Sequence, residues 1–599
     1  MKRALVLLLL VGAGCGGKAV FRLSSDENNA FALDKALAQR QLPATPTPVN
    51  DAHQPRLYAL ANAAGANKTI LALDLASGNV MWKADAEVKS RIAVGGDFIV
   101  ALEGNSLVAR DQARGQPRWR HSVPGTYVGH AADRERAYVV WKSGSTWWLA
   151  ALDGAGGKQL WKADAAGVLG APQAHGGVVY VPFLSQWLTL VDGRSGRLLT
   201  RVRGIDEQIS TLRVTSTTAY YGSKQGMFEL DGRSSTGLRA EATYGKVAIP
   251  AQLERTTYAR DAYDDVQAAY TANDRTRVLW ATTPVKQGPM AFAGGTYAIH
   301  HFRFLLGFGA DGEVRWAYSH PRVELVASDH TGAVVVGLSA SGEVVAVDPV
   351  TGAVRAQKSL GTSQQVLGGT FDADGWAPAA EGQAADPVAA LVGILRDRDA
   401  RFDRVKELAA GVLAKMPGPD VTRHLLETLA DNRAPQRLKD AVVEQLVARR
   451  DPSGLPALTA QLAVRTDYLA KTEPDALGAT ARAIAGLEGL ALDTGHVEAA
   501  LAALEVHLDA PTTPTADLAQ VIGAMAAIGG GAERQPLASH LLLYHADDLG
   551  GEAAWQRAIS IALARKGGPG ERAVLRRVAG DPRSRPGLAS AIRDALGVE

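Results

Sequence analysis

One pattern recurs along the N-terminal part of the chain. In its clearest copy, Ile70-Leu71-Ala72-Leu73-Asp74-Leu75-Ala76-Ser77-Gly78-Asn79-Val80-Met81-Trp82, an apolar run ends at Asp74. Gly78 follows four residues later and Trp82 four after that. Asp111, Gly115 and Trp119 repeat the spacing, as do Asp153, Gly157 and Trp161. Asp192 and Gly196 continue it with Thr200 in the Trp place, and a worn fifth copy keeps Asp231. The sixth keeps Trp280, the seventh Gly312 and Trp316, and the eighth Asp348, Gly352 and Ala356. These Trp-equivalent positions recur roughly every 39 residues, so each copy is one supersecondary unit that buries its apolar surface only by stacking on its neighbours.

The segments between the markers alternate at period two, as in Thr146–Ala150 and Val178–Val181, which argues for strands rather than helical repeats. Each marker has a physical reason. Asp caps the turn through its side chain, Gly supplies a positive φ, and Trp offers a large flat surface with an N–H that needs an acceptor. A period near 40 with four short strands predicts an all-β propeller over residues 53–378. The count gives eight blades, or seven if the worn fifth copy is not one. Leu57–Ala61 and Thr69–Leu73 read as two strands of the first blade with no inner strand before them, and Gln365–Thr370 is a lone strand after the last repeat. That strand is expected to join the first blade and close the ring, leaving no free edge.

The motif A-x-D-x-x-[ST]-G-x-x-x-W resembles the PQQ-like repeat, named after quinoprotein dehydrogenases. The resemblance implies a blade-docking role for Trp82, Trp119, Trp161, Trp280 and Trp316, with Gly78, Gly115, Gly157, Gly196, Gly312 and Gly352 in the turns. It speaks to fold, and folds host many functions.

Met1-Lys2-Arg3 followed by the apolar run Ala4–Val11 reads as a signal peptide, too short for a spanning helix. Gly12-Ala13-Gly14 leads into Cys15, the single cysteine. This resembles a bacterial lipoprotein signal, which implies that residues 1–15 end at a lipidated Cys15. Gly12 stands where that family usually has Leu. The alternative is a cleaved secretory signal with an incidental cysteine. Gly16, rather than Asp, follows Cys15. By analogy with enteric bacteria this favours the outer membrane facing the periplasm over the inner membrane, with the cell surface as a further alternative. Residues 16–52, rich in Ala, Pro and Thr, are expected to be a flexible tether.

From residue 379 the pattern becomes helical. Val388, Leu391, Ile394 and Leu395 form one stripe, and Val421, Leu425, Leu426 and Leu429 another. Asp386-Pro387, Asp451-Pro452 and Asp581-Pro582 read as helix starts, with Asp capping and Pro in the first turn. Helices near 420–430, 435–450 and 453–463 suggest a helix-pair period of about 33 residues. Residues 379–599 resemble HEAT-type α-solenoid repeats of ten to twelve helices, with a compact bundle as the alternative. The fold class is therefore multidomain, an all-β propeller followed by an all-α helical repeat domain.

Composition narrows the chemistry. The net charge is +2, with 64 basic against 62 acidic residues, which gives no electrostatic footprint for nucleic acid. One cysteine excludes an intramolecular disulfide and a multi-cysteine metal site. It also removes the adjacent cysteine pair found beside the cofactor in many quinoprotein dehydrogenases, so PQQ and its calcium ion are not expected. His300-His301 lie next to each other on a strand and point to opposite faces, one partly buried and one exposed. Asp372-Ala373-Asp374-Gly375 starts like a calcium loop but has Gln383 at the twelfth position, so a plain turn is expected. Asp261, Asp264 and Asp265 read as solvated charge, and Trp147 and Trp148 as one packing and one surface residue. No residue is assigned a catalytic, cofactor-binding or metal-binding role.

An anchor, a tether, eight PQQ-like blades and no catalytic set resemble the BamB family of outer-membrane β-barrel assembly lipoproteins. The helical third is not part of that family. The resemblance implies a non-catalytic periplasmic scaffold whose propeller loops and helical arm bind other envelope proteins. The alternatives are a propeller that binds a small molecule or glycan, as a sensor, and a divergent PQQ-dependent dehydrogenase.

Overall fold

A computed structural model describes residues 20–22, 54–63, 65, 67–203, 209, 211–214, 219–223, 226–230, 276–280, 285–286, 292–293, 297–309, 313–378, 386–431, 433–463, 476–510, 513–546 and 554–597. Cys15, Asp231, Asp261, Asp264, Asp265 and Gly312 lie outside the described residues. The chain divides into two compact units, residues 1–387 and 388–599. No helix of the described residues is long and apolar enough to cross a membrane.

The first unit is a series of antiparallel sheets. Sheet 1 has the strand order Val366–Asp372, Arg56–Asn62, Lys68–Asp74, Val80–Ala86. Its first strand is therefore the lone strand that follows the last repeat. Leu57 pairs with Phe371 and Ala59 with Gly369, which is the ring closure expected from the sequence. Sheet 2 runs Ala93–Val94, Phe98–Glu103, Ser106–Asp111, Pro117–Ser122, and sheet 3 runs Thr126–Ala132, Arg136–Ser143, Thr146–Asp153, Gln159–Ala165. Sheet 4 contains Gln173–His175, Val178–Phe183, Trp187–Asp192 and Leu198–Arg203. Sheet 5 has three described strands, Thr211–Val214, Ala219–Ser223 and Gly226–Leu230. Sheet 6 comprises Thr276–Trp280, Tyr297–His301, Phe304–Phe308 and Val314–Ser319, and sheet 7 Leu325–His330, Val335–Ser339, Glu343–Val347 and Val354–Ser359. The first strands of sheets 7, 1, 2, 3, 4 and 5 lie beside one another in that order, and that of sheet 6 lies beside that of sheet 7. This is the arrangement of blades around an axis.

The worn fifth copy does form a sheet. Trp280 was expected on an outer strand, but it ends the first strand of sheet 6, opposite Tyr297. A two-stranded ribbon, Val285–Lys286 with Phe292–Ala293, interrupts the path to the second strand. Residues 231–275, where the strands of a further blade would fall, lie outside the described set.

Burial follows position in the blade. Phe98–Glu103 and Val178–Phe183 are buried at every residue, because second strands have a neighbouring blade on each face. Val178–Val181 is thus a continuous apolar run rather than an alternating one. The outer strand Pro117–Ser122 buries only Trp119 fully.

The second unit holds twelve described helices: α1 Pro387–Leu395, α2 Asp403–Lys415, α3 Pro419–Ala430, α4 Gln436–Arg449, α5 Leu455–Leu462, α6 Leu477–Ala485, α7 Thr494–Asp509, α8 Thr515–Ile528, α9 Arg534–Tyr544, α10 Ala554–Lys566, α11 Pro569–Gly580 and α12 Pro586–Leu596. From α2 on, even-numbered helices pack in sequence on one another, and α3, α5, α7, α9 and α11 form a second row. From α3 on, each odd helix packs on the even helix that follows it. A compact bundle would bring distant helices together, whereas this two-row ladder of local contacts is a solenoid. Successive pairs begin at Pro419, Leu455, Thr494, Arg534 and Pro569, so the repeat is roughly 35–40 residues, longer than the sequence suggested and within the HEAT/armadillo range of about 40–47 at its upper end.

Asp386-Pro387 opens α1, and Asp451 caps the short 3-10 turn Pro452–Gly454 that leads into α5 by accepting from the Ser453 N–H. Asp581-Pro582 does not start a helix. Asp581 ends α11 and accepts from the Arg583 N–H in a turn, and α12 begins at Pro586.

Candidate functional site

The motif residues meet at the seams between blades. Trp82 Nε1 donates to the Gln112 carbonyl at 2.8 Å and Trp119 Nε1 to that of Gly154 at 2.8 Å. Trp161 Nε1 donates to Gly193 at 2.9 Å, and Trp316 Nε1 to Pro349 at 2.8 Å. Every one of these bonds runs from the outer strand of one sheet to the turn of the next. In that turn the marker glycine lies beneath the indole. A Cβ on Gly115 would sit 2.4 Å from Trp82, and one on Gly157 would sit 2.6 Å from Trp119. Gly196 stands in the same relation to Trp161, and Gly352 to Trp316. Gly78, in the turn of sheet 1, meets the aliphatic stem of Lys358 instead, 3.0 Å from where its Cβ would be. The last seam, where Ala356 replaces Trp, is thus filled by a residue two positions further on.

The rest of the motif follows from the same geometry. The register between third and fourth strands shifts just before each Trp position, between Ala72 and Leu73, Ala109 and Arg110, and Ala151 and Leu152. This repeated bulge turns the outer strand and aims the Trp at the next sheet. Opposite Trp82, Trp119 and Trp161 stand Ala72, Ala109 and Ala151, which explains the small residue two places before the Asp. The Asp side chains cap the turns. Asp74 accepts from the Ala76 and Ser77 N–H groups, and Asp111 from those of Ala113 and Arg114. Burial pushes the Asp348 carboxyl up, but the Thr351 N–H, Arg355 and the Val350 N–H together hold it at about 2.

A buried ion pair that the motif does not reveal supports one of these turns. Arg110 and Glu103 make two bonds, of 2.7 and 2.9 Å, and Arg110 also donates to the Gly115 carbonyl at 3.0 Å. The two residues sit in adjacent strands joined by a tight turn. The only sequence signal is a charge inside each apolar run.

Inside the ring, a cavity of about 90 Å³ is bordered by Arg91, Ile92, Ser328, Asp329 and Gly368–Phe371. Ligand pockets usually measure about 300–1,000 Å³, and Asp329 is the one carboxylate among the described residues that line this cavity. No cluster of three metal-ligating side chains occurs among the described residues. The residues described here do not fit a quinone with its calcium ion.

His300 and His301 are both buried, at 0% and 3% exposure, where one was expected to be exposed. They lie in the second strand of sheet 6, which is covered on both faces. His300 Nδ1 meets Ser328 Oγ at 2.9 Å, and its Nε2 meets the Phe302 carbonyl at 2.8 Å. Burial, with the neighbouring His300, lowers His301 to about 3, so His301 is neutral at ordinary pH. Trp147 and Trp148 are both half-buried rather than one in and one out, with Lys142 over the first and Lys162 over the second. Asp372 ends a strand, and Gly375 has φ 76° in the turn after it.

Residues 66–201 and 129–275 match the model of the family described as outer membrane protein assembly factor BamB. Among solved structures, BamB from Moraxella catarrhalis aligns at 15% identity with a TM-score of 0.29, over 51% of this chain and 88% of that one. The computationally designed Ika8 protein aligns at 14% identity with a TM-score of 0.31, over 56% of this chain and 98% of its own. No curated protein matches the sequence.

Proposed function

We propose that this BamB-like PQQ-repeat propeller, joined here to a helical solenoid, is a non-catalytic, lipid-anchored scaffold in the cell envelope that takes part in outer-membrane protein assembly. The observation that carries the reading is the match of residues 66–275 to the BamB assembly-factor family. The seams support it, because Trp82, Trp119, Trp161 and Trp316, with the marker glycines beneath them, join neighbouring blades. Rigid blades suit the display of loops to a partner, and a solenoid offers a second, elongated surface. Lipidation at Cys15 would hold the chain at the membrane, since several acyl chains at about 0.8 kcal/mol per buried methylene give lasting attachment.

A dehydrogenase remains the sharpest rival because of the repeat itself. Incubation of the purified chain with PQQ and calcium, followed by an absorbance scan and a dye-linked alcohol oxidation assay, separates the two. The scaffold reading expects neither a bound quinone spectrum nor dye reduction above a buffer control. A bound spectrum with turnover would overturn it.

A further inference from the structure

Two residues that fall within the expected tether, Val20 and Phe21, are packed into the propeller, and Arg22 follows them at its surface. Val20 and Phe21 are 1% and 2% exposed. They join the apolar cluster of sheets 3 and 4 that includes Ala165, Leu169, Phe183 and Trp187. The Phe21 ring lies 5.4 Å from that of Phe183. Arg201, on the outer strand of sheet 4, is 1% exposed. Its Nη1 donates to the Arg22 carbonyl at 3.1 Å, its Nη2 donates to the Val20 carbonyl, and its guanidinium lies over the Phe183 ring. A guanidinium on an outer strand ordinarily reaches water, and burying it is costly unless acceptors replace the water. The N-terminal segment supplies those acceptors, so apolar burial and the arginine lock hold it together.

The position of this contact matters because Cys15 stands five residues before Val20. That stretch spans at most about 18 Å even when fully extended, against about 130 Å for a free tether over 16–52. Beside the contact, Leu184 and Val168 are 40% and 38% exposed, and the Leu184 N–H donates to the Val168 carbonyl at 2.9 Å. Leu184 and Ser185 form a hairpin tip at φ 48° and 64°, where the corresponding tips of sheets 2 and 3 use Gly104 and Gly144. A bulky side chain in this left-handed conformation is uncommon and costs energy. Trp147 packs on the same cluster under Lys142, and Trp and Lys are residue types that suit a lipid–water interface.

We propose that residues 20–22 form a clasp that holds the anchoring point beside the groove between sheets 3 and 4, so that this edge, with Leu184 and Val168, is turned to the membrane lipid. The inference rests on the reading of Cys15 as the anchor. The test uses the full lipidated chain in vesicles of phosphatidylethanolamine and phosphatidylglycerol that contain nitroxide-labelled lipid. An environment-sensitive dye is placed at Leu184→Cys or at Val350→Cys. Val350 is 65% exposed in a turn between third and fourth strands, and such turns lie on the opposite propeller face from the second-to-third hairpins. Quenching at position 184 should exceed that at 350 by at least about twofold, and Val20→Ser with Phe21→Ser should abolish the difference. These substitutions lie outside the propeller's own strands.

Equal quenching at the two positions, or a difference that survives loss of the clasp, overturns the proposal. So does cross-linking of position 184 to a bound protein in native envelopes without lipid quenching. A chain that fails to float with the vesicles overturns the anchor reading itself. In the unlipidated chain, hydrogen exchange over residues 18–23 should be slowed at least about tenfold relative to Arg201→Ala, and absence of protection would remove the clasp.

Discussion

At the residue scale, the same few contacts repeat at each seam, and single atoms decide whether they form. The glycine under each indole has a positive φ and no room for a Cβ: Gly115 is at φ 71° and Gly157 at φ 70°. Trp316 shows the same constraint from the strand side, because a Cβ on Gly307 would fall 1.9 Å from its ring. The Glu103–Arg110 pair is more exposed to mutation than its two bonds suggest. Both side chains are below 10% exposed, so removing one leaves a buried charge without its partner. Glu103→Ala is expected to cost about 3–5 kcal/mol, while replacing both residues with apolar ones of similar volume should recover most of that. Urea melts that follow the propeller's own transition check both halves. Equal losses for the single and double variants would contradict the ion-pair account.

At the level of elements, the repeat is legible because its markers stand at fixed spacing in the clearest copies, Asp74, Gly78 and Trp82 among them. Closure by residues 366–372 was also legible, since the first blade lacked a strand and the last repeat was followed by a spare one. The alternation of Val178–Val181 and the exposure of one histidine of the pair at 300–301 were misread for one reason. The sequence shows period but not whether a second sheet covers the far face. Spacing alone suggests an outer strand for Trp280, whereas its pairing opposite Tyr297 puts it on the first strand of sheet 6. The docking of Val20 and Phe21 carries no local signal, because its partner Arg201 is about 180 residues away. In the helical unit, the Asp-Pro pairs at 386 and 451 announce helices, whereas at 581 the same dipeptide makes a turn. Closure gives the element-scale prediction. A Cβ on Gly369 would meet Leu338, Leu57 and the Tyr58 carbonyl at 2.9–3.1 Å, so Gly369→Val should loosen the pairing of Val366–Asp372 with Arg56–Asn62. Hydrogen exchange across Leu57–Ala61 should quicken by about tenfold or more while sheet 3 keeps its protection. Unchanged exchange in Leu57–Ala61 would show that the closing strand does not hold the first blade.

For the whole molecule, the two units bring different kinds of surface. Blades stacked around an axis leave only short, protected edges, while a solenoid has an extended face and neighbour-only contacts. In the described seams the marker residues hold blades together, as Trp82, Trp119, Trp161 and Trp316 do. On the function proposed above, this chain is an assembly part that works by binding. The most direct measurement is affinity purification of the full-length chain from detergent-solubilised envelopes, with the partner stoichiometry read by mass. The account predicts a stable envelope-protein partner in near-stoichiometric amount, retained in salt and lost when the propeller is removed. Recovery of the chain alone, at native expression and under mild detergent, would contradict it.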